Sequence, residues 1–529
     1  MRLPAGVRDW LPGELARKRE IEQKIRSIFT RWKYREVLTP GFERFDVLES
    51  GLGEALTEET FRFTDRQANA LALRPEMTTP IARLVSTRMR DEPLPLRLSY
   101  VAPAYRYEEP QEGRMREFTQ AGVELIGSSG DDADAEALFM AVETLNEVGL
   151  GDACFDINDA HVVDGVLESA GVPASERSRC KAWIAQRNVV ALAAYGERIV
   201  EFALLRGGRE ALERVRPMCV TPASQAGLAR LERLLSRAAE LGIESRINVD
   251  FALLRDLEYY TGLVFEGYVE ELGFSLCGGG RYDGLLPRFG FDVPAIGWTC
   301  GIERILTALE RRGSRLDGRL TIAVPKGALF DDAALRLRAS GIEVPDDAGR
   351  RLAVSSSDGR TELLFLRPSD VPAYVEFGAA DCGIVGKDVL WETDRQVCEL
   401  ADLGFGACRL VVAARRESGY HEGTSLPTFL RVATKYARSA ELFFSERDLP
   451  VEIIALHGSV ELAPVVRLAD LIVDLTQTGN TLREHDLVIV NEIGRSTARF
   501  VANPIRFRAK YDRMRDLLGR LQSVASAPA

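Results

Sequence analysis

The chain has 529 residues, 68 Lys and Arg against 79 Asp and Glu, a formal charge of −11, 46% apolar and 28% charged residues. That length exceeds a single hydrophobic core and implies two to four domains. The acidic balance withholds the basic footprint of a nucleic-acid binder, so nucleic acid is not expected as a partner.

Eight cysteines form no C-x-x-C pair and four histidines form no H-E-x-x-H pattern. This argues against a disulfide framework, a zinc site or a histidine-based triad. There is no apolar run of membrane-spanning length and no signal-peptide core in MRLPAGVRDW, so a cytoplasmic protein with no membrane partner is expected.

Taken in chain order, Ile21, Ile25, Ile28, Phe29 and Trp32 recur at helical spacing and predict a first helix. Short apolar strands and turns follow to residue 127, then a helix-rich stretch over 130–245. A second group of strands near 246–300 contains Gly278-Gly279-Gly280, and Ile302–Leu309 predicts a closing helix. The polar, Gly-containing segment around 311–319 reads as a linker after a domain spanning 1–310. Beyond it, continuous apolar strands at Leu320–Val324, Leu363–Leu366, Val451–Leu456, Leu471–Leu475 and Leu487–Val490 alternate with helical or turn segments. Such strands suit a parallel sheet covered on both faces. A last helix carries Tyr511, Met514, Leu518 and Leu521, and 523–529 reads as a tail.

The most informative segment is Leu471-Ile-Val-Asp-Leu-Thr-Gln-Thr-Gly-Asn-Thr-Leu482. It reads as a buried strand ending near Asp474, a turn of Thr476, Gln477, Thr478, Gly479, Asn480 and Thr481, then a helix start. Backbone amides and threonine hydroxyls in such a turn favour an anion, and Gly479 permits close backbone approach. Asp474 is placed to hold ribose hydroxyls or a magnesium ion. Taken alone the pattern fits a capped helix as well as a phosphate site. A G-x-x-x-x-G-K-[ST] loop is absent, which disfavours an ordinary P-loop NTPase. Lys326, Arg350 and Arg367 lie beside predicted strands and suit polyphosphate neutralisation, Arg by bidentate contacts. Lys387 and Lys435 are further candidate cations, and Glu461 follows the strand Val451–Leu456.

These segments, with Val375-Glu-Phe-Gly-Ala-Ala-Asp-Cys-Gly-Ile-Val-Gly-Lys387 and Val432-Ala-Thr-Lys-Tyr436, resemble the short form of ATP phosphoribosyltransferase over 320–522. The resemblance implies a two-lobed α/β fold like that of periplasmic binding proteins, with a second lobe at about 410–500. It implies ATP and phosphoribosyl pyrophosphate as substrates, Mg2+ carried by the substrate as cofactor, and the loop Asp474–Thr481 as the phosphoribosyl site.

The first 310 residues resemble the catalytic domain of histidyl-tRNA synthetase. The resemblance is carried by Thr39-Pro-Gly-Phe-Glu43, Arg74-Pro-Glu76, Tyr105-Arg-Tyr-Glu108, Phe118-Thr-Gln120 with Glu124, Leu254-Arg-Asp-Leu-Glu-Tyr-Tyr260 and Gly301-Ile-Glu-Arg304. It implies a class II antiparallel-sheet core and a histidine pocket of Glu76, Gln120, Glu124, Arg255, Tyr259 and Tyr260. Arg106 and Arg304 are placed for phosphates. Met77 and Asp256-Leu-Glu258 depart from the synthetase pattern, and no anticodon-binding domain follows residue 310. Thr78-Thr-Pro-Ile-Ala-Arg83 and Arg106-Tyr-Glu-Glu-Pro110 are more similar to the regulatory subunit of the short-form transferase. Together the resemblances imply a multidomain α/β and α+β chain: a fused transferase and regulatory domain, inhibited by histidine and assembled as a homo-oligomer. Two alternatives stay open, a bifunctional protein that retains histidyl-tRNA synthetase or histidine-adenylating activity in its first 310 residues, and a solute-binding module.

Overall fold

The computed structural model describes residues 3–108, 114–254, 260–312, 319–345, 351–422 and 425–525. Of the residues singled out above, Glu109, Pro110, Arg255, Asp256, Leu257, Glu258, Tyr259 and Arg350 lie outside the described residues, as do 313–318 of the linker and 526–529 of the tail. The chain divides into two compact units, Met1–Asp317 and Gly318–Ala529. Among the described residues no helix is long and apolar enough to cross a membrane.

The first unit is built on a nine-stranded sheet. Its centre is an antiparallel run of Leu96–Tyr105, Glu117–Ile126, Ala295–Gly301, Cys277–Arg281, Leu263–Tyr268 and Cys154–Asp159. Parallel neighbours extend it at both ends: Arg35–Glu36 beside Leu96–Tyr105, and Ile247–Asp250 beside Cys154–Asp159. The helix read from the sequence is present as Pro12–Arg31, with Ile21, Ile25, Ile28 and Phe29 buried. It packs with Asp131–Glu147, Ile302–Arg311 and Pro222–Glu240 over one face of the sheet.

Strand alternation decides what each face holds. In Glu117–Ile126, Ala121, Val123 and Leu125 enter the helix-covered core. Gln120, Gly122 and Glu124 therefore point to the other face. Their partners there are Gly301, Thr299 and Gly297, and the next strand adds Gly278 opposite Thr299 and Gly280 opposite Gly297. That face is paved largely with backbone.

The second unit has two lobes. The first carries a sheet in the order Ala353–Ser355, Thr361–Leu366, Leu320–Pro325, Cys382–Gly386, Ala498–Ala502, Cys398–Asp402; the second the order Val451–Ala455, Leu430–Thr434, Leu471–Thr476, Cys408–Arg415, Leu487–Ser496. Each sheet is mixed, not purely parallel as the apolar runs suggest. Three strands in each are parallel, and Ala498–Ala502 and Cys408–Arg415 run antiparallel to both of their neighbours. The chain crosses between lobes through 403–407 and again through Thr497. The strand Leu487–Ser496 outruns its apolar stretch because its full length pairs, with two register shifts, against Cys408–Arg415.

Beneath the first unit's sheet edge, Arg187 donates both to one Asp250 oxygen at 2.5 Å and to the other, with both side chains essentially inaccessible. Removing one partner of such a pair strands a buried charge. Arg187→Ala should cost about 3–5 kcal/mol in unfolding of the first unit. Four of the five tryptophans (Trp10, Trp32, Trp183 and Trp298) report on that unit by fluorescence. A change below about 1 kcal/mol would show the pair to be solvated, as surface ion pairs are.

Candidate functional site

Each unit presents a site of its own. In the first unit, the glycine-paved face forms the floor of a cleft with two adjoining compartments. Both are lined by Arg106, Gln120, Gly278 and Thr299.

The inner compartment, with about 440 Å³ of empty space, adds Glu76, Thr78, Tyr100, Glu124, Tyr260 and Tyr282. Glu124 is 1% exposed. Its carboxyl accepts from the Thr78 hydroxyl at 2.8 Å and from the Tyr282 phenol. Burial pushes its pKa up to about 8, the Tyr282 and Thr78 bonds pull it down in part, and nearby Glu76 raises it further. Gly297 stands directly opposite, and any side chain there would overlap the Glu124 carboxylate. Gly280 likewise leaves room for the Tyr260 ring, which a Cβ would approach to 2.7 Å.

Glu76 is spent locally. Its two oxygens accept the backbone N–H groups of Thr78 and of Thr79 (2.9 Å), which opens the helix Thr78–Arg88. The side-chain oxygen Oε1 of Gln120 is buried and has no hydrogen-bond partner among the described residues. A buried acceptor without a donor is costly and marks a place where a ligand donor fits.

The outer compartment, with about 650 Å³ of empty space, gathers Arg106, Arg114 and Arg304. Burial first, then the charges of Arg114 and Arg106, pushes Arg304 down to about 10, against partial relief from Glu108 and Glu266. A buried guanidinium facing two others marks a compartment suited to an anion. Arg106 also donates to the Pro75 carbonyl at 3.0 Å and lies over the Phe118 ring.

In the second unit, the strand Leu471–Thr476 delivers Asp474 and the turn that follows. Gly479 takes a left-handed conformation, φ 77°, which a glycine adopts without steric cost. Its N–H donates to the Thr476 hydroxyl at 2.9 Å, closing the turn, and the helix Asn480–Glu484 begins. Gln477, Thr478, Asn480 and Thr481 are exposed. Arg483 braces the loop from behind, donating to the Thr478 carbonyl at 3.2 Å and the Asn480 side chain at 2.5 Å. Desolvation raises the pKa of Asp474, opposed by its bond from the Leu475 N–H and the charge of Lys435, and reinforced by Glu461. The structure thus brings Asp474, Lys435 and Glu461 together.

Lys326 and Arg367 belong to the other lobe, just past the ends of the parallel strands Leu320–Pro325 and Thr361–Leu366. The Lys326 N–H donates to Leu366 O at 2.7 Å, and its ammonium reaches the Arg351 carbonyl at 3.2 Å. Arg367 is exposed. Lys387 is instead committed to an ion pair with the buried Glu399. Sequence reasoning missed Thr78, Tyr100, Tyr282 and Arg114. Tyr100 and Tyr282 have no local signature, since they reach the cleft through partners far away in the chain, whereas Thr78 is tied both to Glu76 two residues away and to the distant Glu124.

An antiparallel class II synthetase-like core in the first unit and a two-lobed α/β transferase in the second are what these folds define. Residues 6–305 match the family model described as histidyl-tRNA synthetase, and residues 367–523 the one described as ATP phosphoribosyltransferase. The ATP phosphoribosyltransferase regulatory subunit of Moorella thermoacetica is 43% identical over 362 residues, 66% of this chain and 93% of that protein. Its counterpart in Halothermothrix orenii is 39% identical over 323 residues, 59% of this chain and 77% of that protein. A solved ATP phosphoribosyltransferase regulatory subunit/histidyl-tRNA synthetase from Bacillus halodurans shares 29% identity and a TM-score of 0.55, covering 69% of this chain and 98% of its own. The chain belongs to the histidyl-tRNA-synthetase-like family of ATP phosphoribosyltransferase regulatory subunits and carries, after that domain, an ATP phosphoribosyltransferase domain, a pentosyltransferase.

Glu124 sets a pH signature. Its folded pKa of about 8 stands above the ordinary 4.5, so between those values the folded chain keeps a proton that the unfolded chain has lost. Its contribution to stability is full below the ordinary value and is lost as pH rises toward 8. In Glu124→Gln that part of the slope should vanish. Identical slopes for the two proteins in denaturation series across this window would show that Glu124 titrates normally.

Proposed function

We propose that this chain is a regulated, fused ATP phosphoribosyltransferase. The second unit condenses ATP with phosphoribosyl pyrophosphate to N1-(5-phosphoribosyl)-ATP and pyrophosphate, the first step of histidine biosynthesis, and the first unit binds histidine as inhibitor. The observation that carries this reading is the turn Asp474–Thr481. It is a strand-end loop closed by left-handed Gly479, with exposed threonine hydroxyls beside a desolvated carboxyl.

In this reading adenine N1 attacks ribose C1′ while the C1′–O bond to pyrophosphate breaks, the bonding pair leaving with pyrophosphate. The loop holds the 5′-phosphate through backbone amides and the hydroxyls of Thr476, Thr478 and Thr481, with Gln477 and Asn480 as further donors. Asp474 holds the ribose hydroxyls, and Lys326, Arg350 and Arg367 neutralise polyphosphate charge. Catalysis is then positioning and electrostatics. The mutual repulsion of Asp474 and Glu461 suits a cation between them. These residues would hold magnesium that enters with the substrate, whose charge stabilises the departing pyrophosphate.

For the first unit, neutral Glu124 gives up its proton to receive the histidine ammonium group, Gln120 accepts a second bond, and Tyr260 faces the imidazole with Arg255 and Tyr259. Glu76 supports the pocket through the Thr78 helix. A homo-oligomer and a cytoplasmic location fit this biosynthetic role. Relatives named as regulatory subunits do not favour retained histidine adenylation, and the transferase domain removes the solute-binding alternative.

The double variant Asp474→Ala, Thr478→Ala should lose about 100-fold or more of phosphoribosyl transfer while staying folded, as removal of preorganised electrostatic contacts does. Near-normal turnover would sink the loop assignment. Histidine should inhibit the wild type, and Glu124→Ala should need about tenfold or more histidine for the same inhibition. Inhibition unchanged by that substitution places the effector elsewhere, and histidine-dependent pyrophosphate exchange would revive the adenylating reading.

A further inference from the structure

The helix Lys387–Thr393 belongs by chain order to the first lobe of the second unit, yet residues along its length are fastened to the second lobe. Ser496 donates its hydroxyl to Asp388 at 2.6 Å, and the Asp388 N–H donates back to that oxygen at 3.0 Å. Trp391 packs on the second lobe's core with Leu410, Val412 and Val490. A Cβ on Gly494 would come within 2.7 Å of its ring. Val389 and Leu390 meanwhile pack on the first lobe's core, so the helix is wedged between the two.

Glu392 makes the most specific of these contacts. Its carboxylate accepts the backbone N–H groups of Arg438 and Ser439, both at 3.0 Å, and the Ser439 hydroxyl at 2.9 Å. These groups form the first turn of the helix Ala437–Ser445, whose own residues offer no side-chain cap at its start. The first N–H groups of a helix have no intrahelical acceptor, so the turn depends on an outside partner. Here that partner comes from the other lobe. Asp394, held left-handed at φ 47°, adds an ion pair to Arg438.

Lys435 and Tyr436 immediately precede that turn. Thr434 ties their strand to the loop strand: its hydroxyl donates to the Val473 carbonyl at 2.7 Å and accepts the Tyr436 N–H at 2.8 Å. The charge of Lys435 bears on the Asp474 carboxyl. The half-buried Tyr436 phenol feels the charges of both Asp388 in one lobe and Asp474 in the other.

We infer that Glu392 is a positioning residue for phosphoribosyl transfer: from the first lobe it holds the start of the Ala437–Ser445 helix, and through it Lys435 and Tyr436, against the Asp474–Thr481 loop. The inference rests on the reading of that loop as the phosphoribosyl pyrophosphate site. Glu392 acts through the turn and not on the reacting atoms, so its effect falls on binding of one substrate.

Steady-state kinetics of the full chain test it. Glu392→Ala should raise KM for phosphoribosyl pyrophosphate about tenfold, the scale set by hydrogen bonds to a charged acceptor. KM for ATP and kcat should stay within about twofold, and Glu392→Gln, which keeps one acceptor, should recover part of the loss. In a background of Lys435→Ala the effect of Glu392→Ala should shrink, because the group being positioned is gone. An unchanged KM, an equal rise for both substrates, or full additivity with Lys435→Ala overturns the inference. If Glu392→Ala fails to fold, Glu392→Gln carries the same test with a shift of about threefold. Failure of the underlying reading is distinguishable, because Asp474→Ala, Thr478→Ala would then leave KM for phosphoribosyl pyrophosphate at the wild-type value.

Discussion

Taking a carboxylate out of water costs several kcal/mol unless hydrogen bonds or a cation offset it, and in each unit one such carboxylate organises the site around it. Glu124 is fully buried and stays neutral at moderate pH, supported by the hydroxyls of Thr78 and Tyr282. Asp474 is half-buried, held by one backbone N–H and the nearby Lys435. Both are shifted in the same direction, and among the described residues neither has a guanidinium bound to it. A cation arriving with a ligand recovers a desolvation cost that folding has already incurred, which is how a weak polar contact becomes a selective one.

Other buried charges in the first unit are handled differently, and the contrast separates scaffold from site. Asp250 is closed by Arg187, Asp156 by Arg206, and Asp134 by Arg281 at 2.6 Å. Each acid there has an arginine committed to it. In the cleft like charges are gathered instead: Arg114 and Arg106 bear on Arg304, Glu76 bears on Glu124, and the Gln120 side-chain oxygen has no donor among the described residues. The glycines opposite Glu124 and Tyr260 follow from this arrangement. Only bare backbone leaves space both for the buried carboxyl and for whatever replaces its proton.

Much of this was legible in order along the chain. Alternation in Glu117–Ile126 puts Gln120 and Glu124 on one face once the strand is recognised, and Gly278-Gly279-Gly280 announces close approach. The strand, Thr-Gly turn and helix start at 471–482 are local, and the folded loop follows them. What stayed hidden is set by distant pairing. Tyr282 meets Glu124 across 158 positions of sequence. Lys387 looks like a substrate cation until Glu399 is folded beside it. Apolar runs also cannot reveal strand direction. Leu487–Ser496 and Ala498–Ala502 are separated by Thr497 alone yet serve different sheets; that crossing sets Ala498–Ala502 antiparallel in the first lobe's sheet, and the crossing through 403–407 does the same for Cys408–Arg415 in the second.

Fusion adds a constraint of its own to the regulation proposed above. An effector shifts activity only by the difference in its affinity for active and inactive states, commonly a few kcal/mol. Between separate polypeptides part of that difference is diluted by dissociation, since a free catalytic subunit no longer answers to the effector. Joining the units in one chain fixes their ratio and turns each encounter into an intramolecular one, at an effective concentration on the order of millimolar for a short linker. The effector's differential affinity can then act wholly on the transferase. A sensor that gives up a proton when it binds, as Glu124 would, makes that difference depend on pH as well as on effector concentration, so inhibition follows both quantities through a single buried carboxyl.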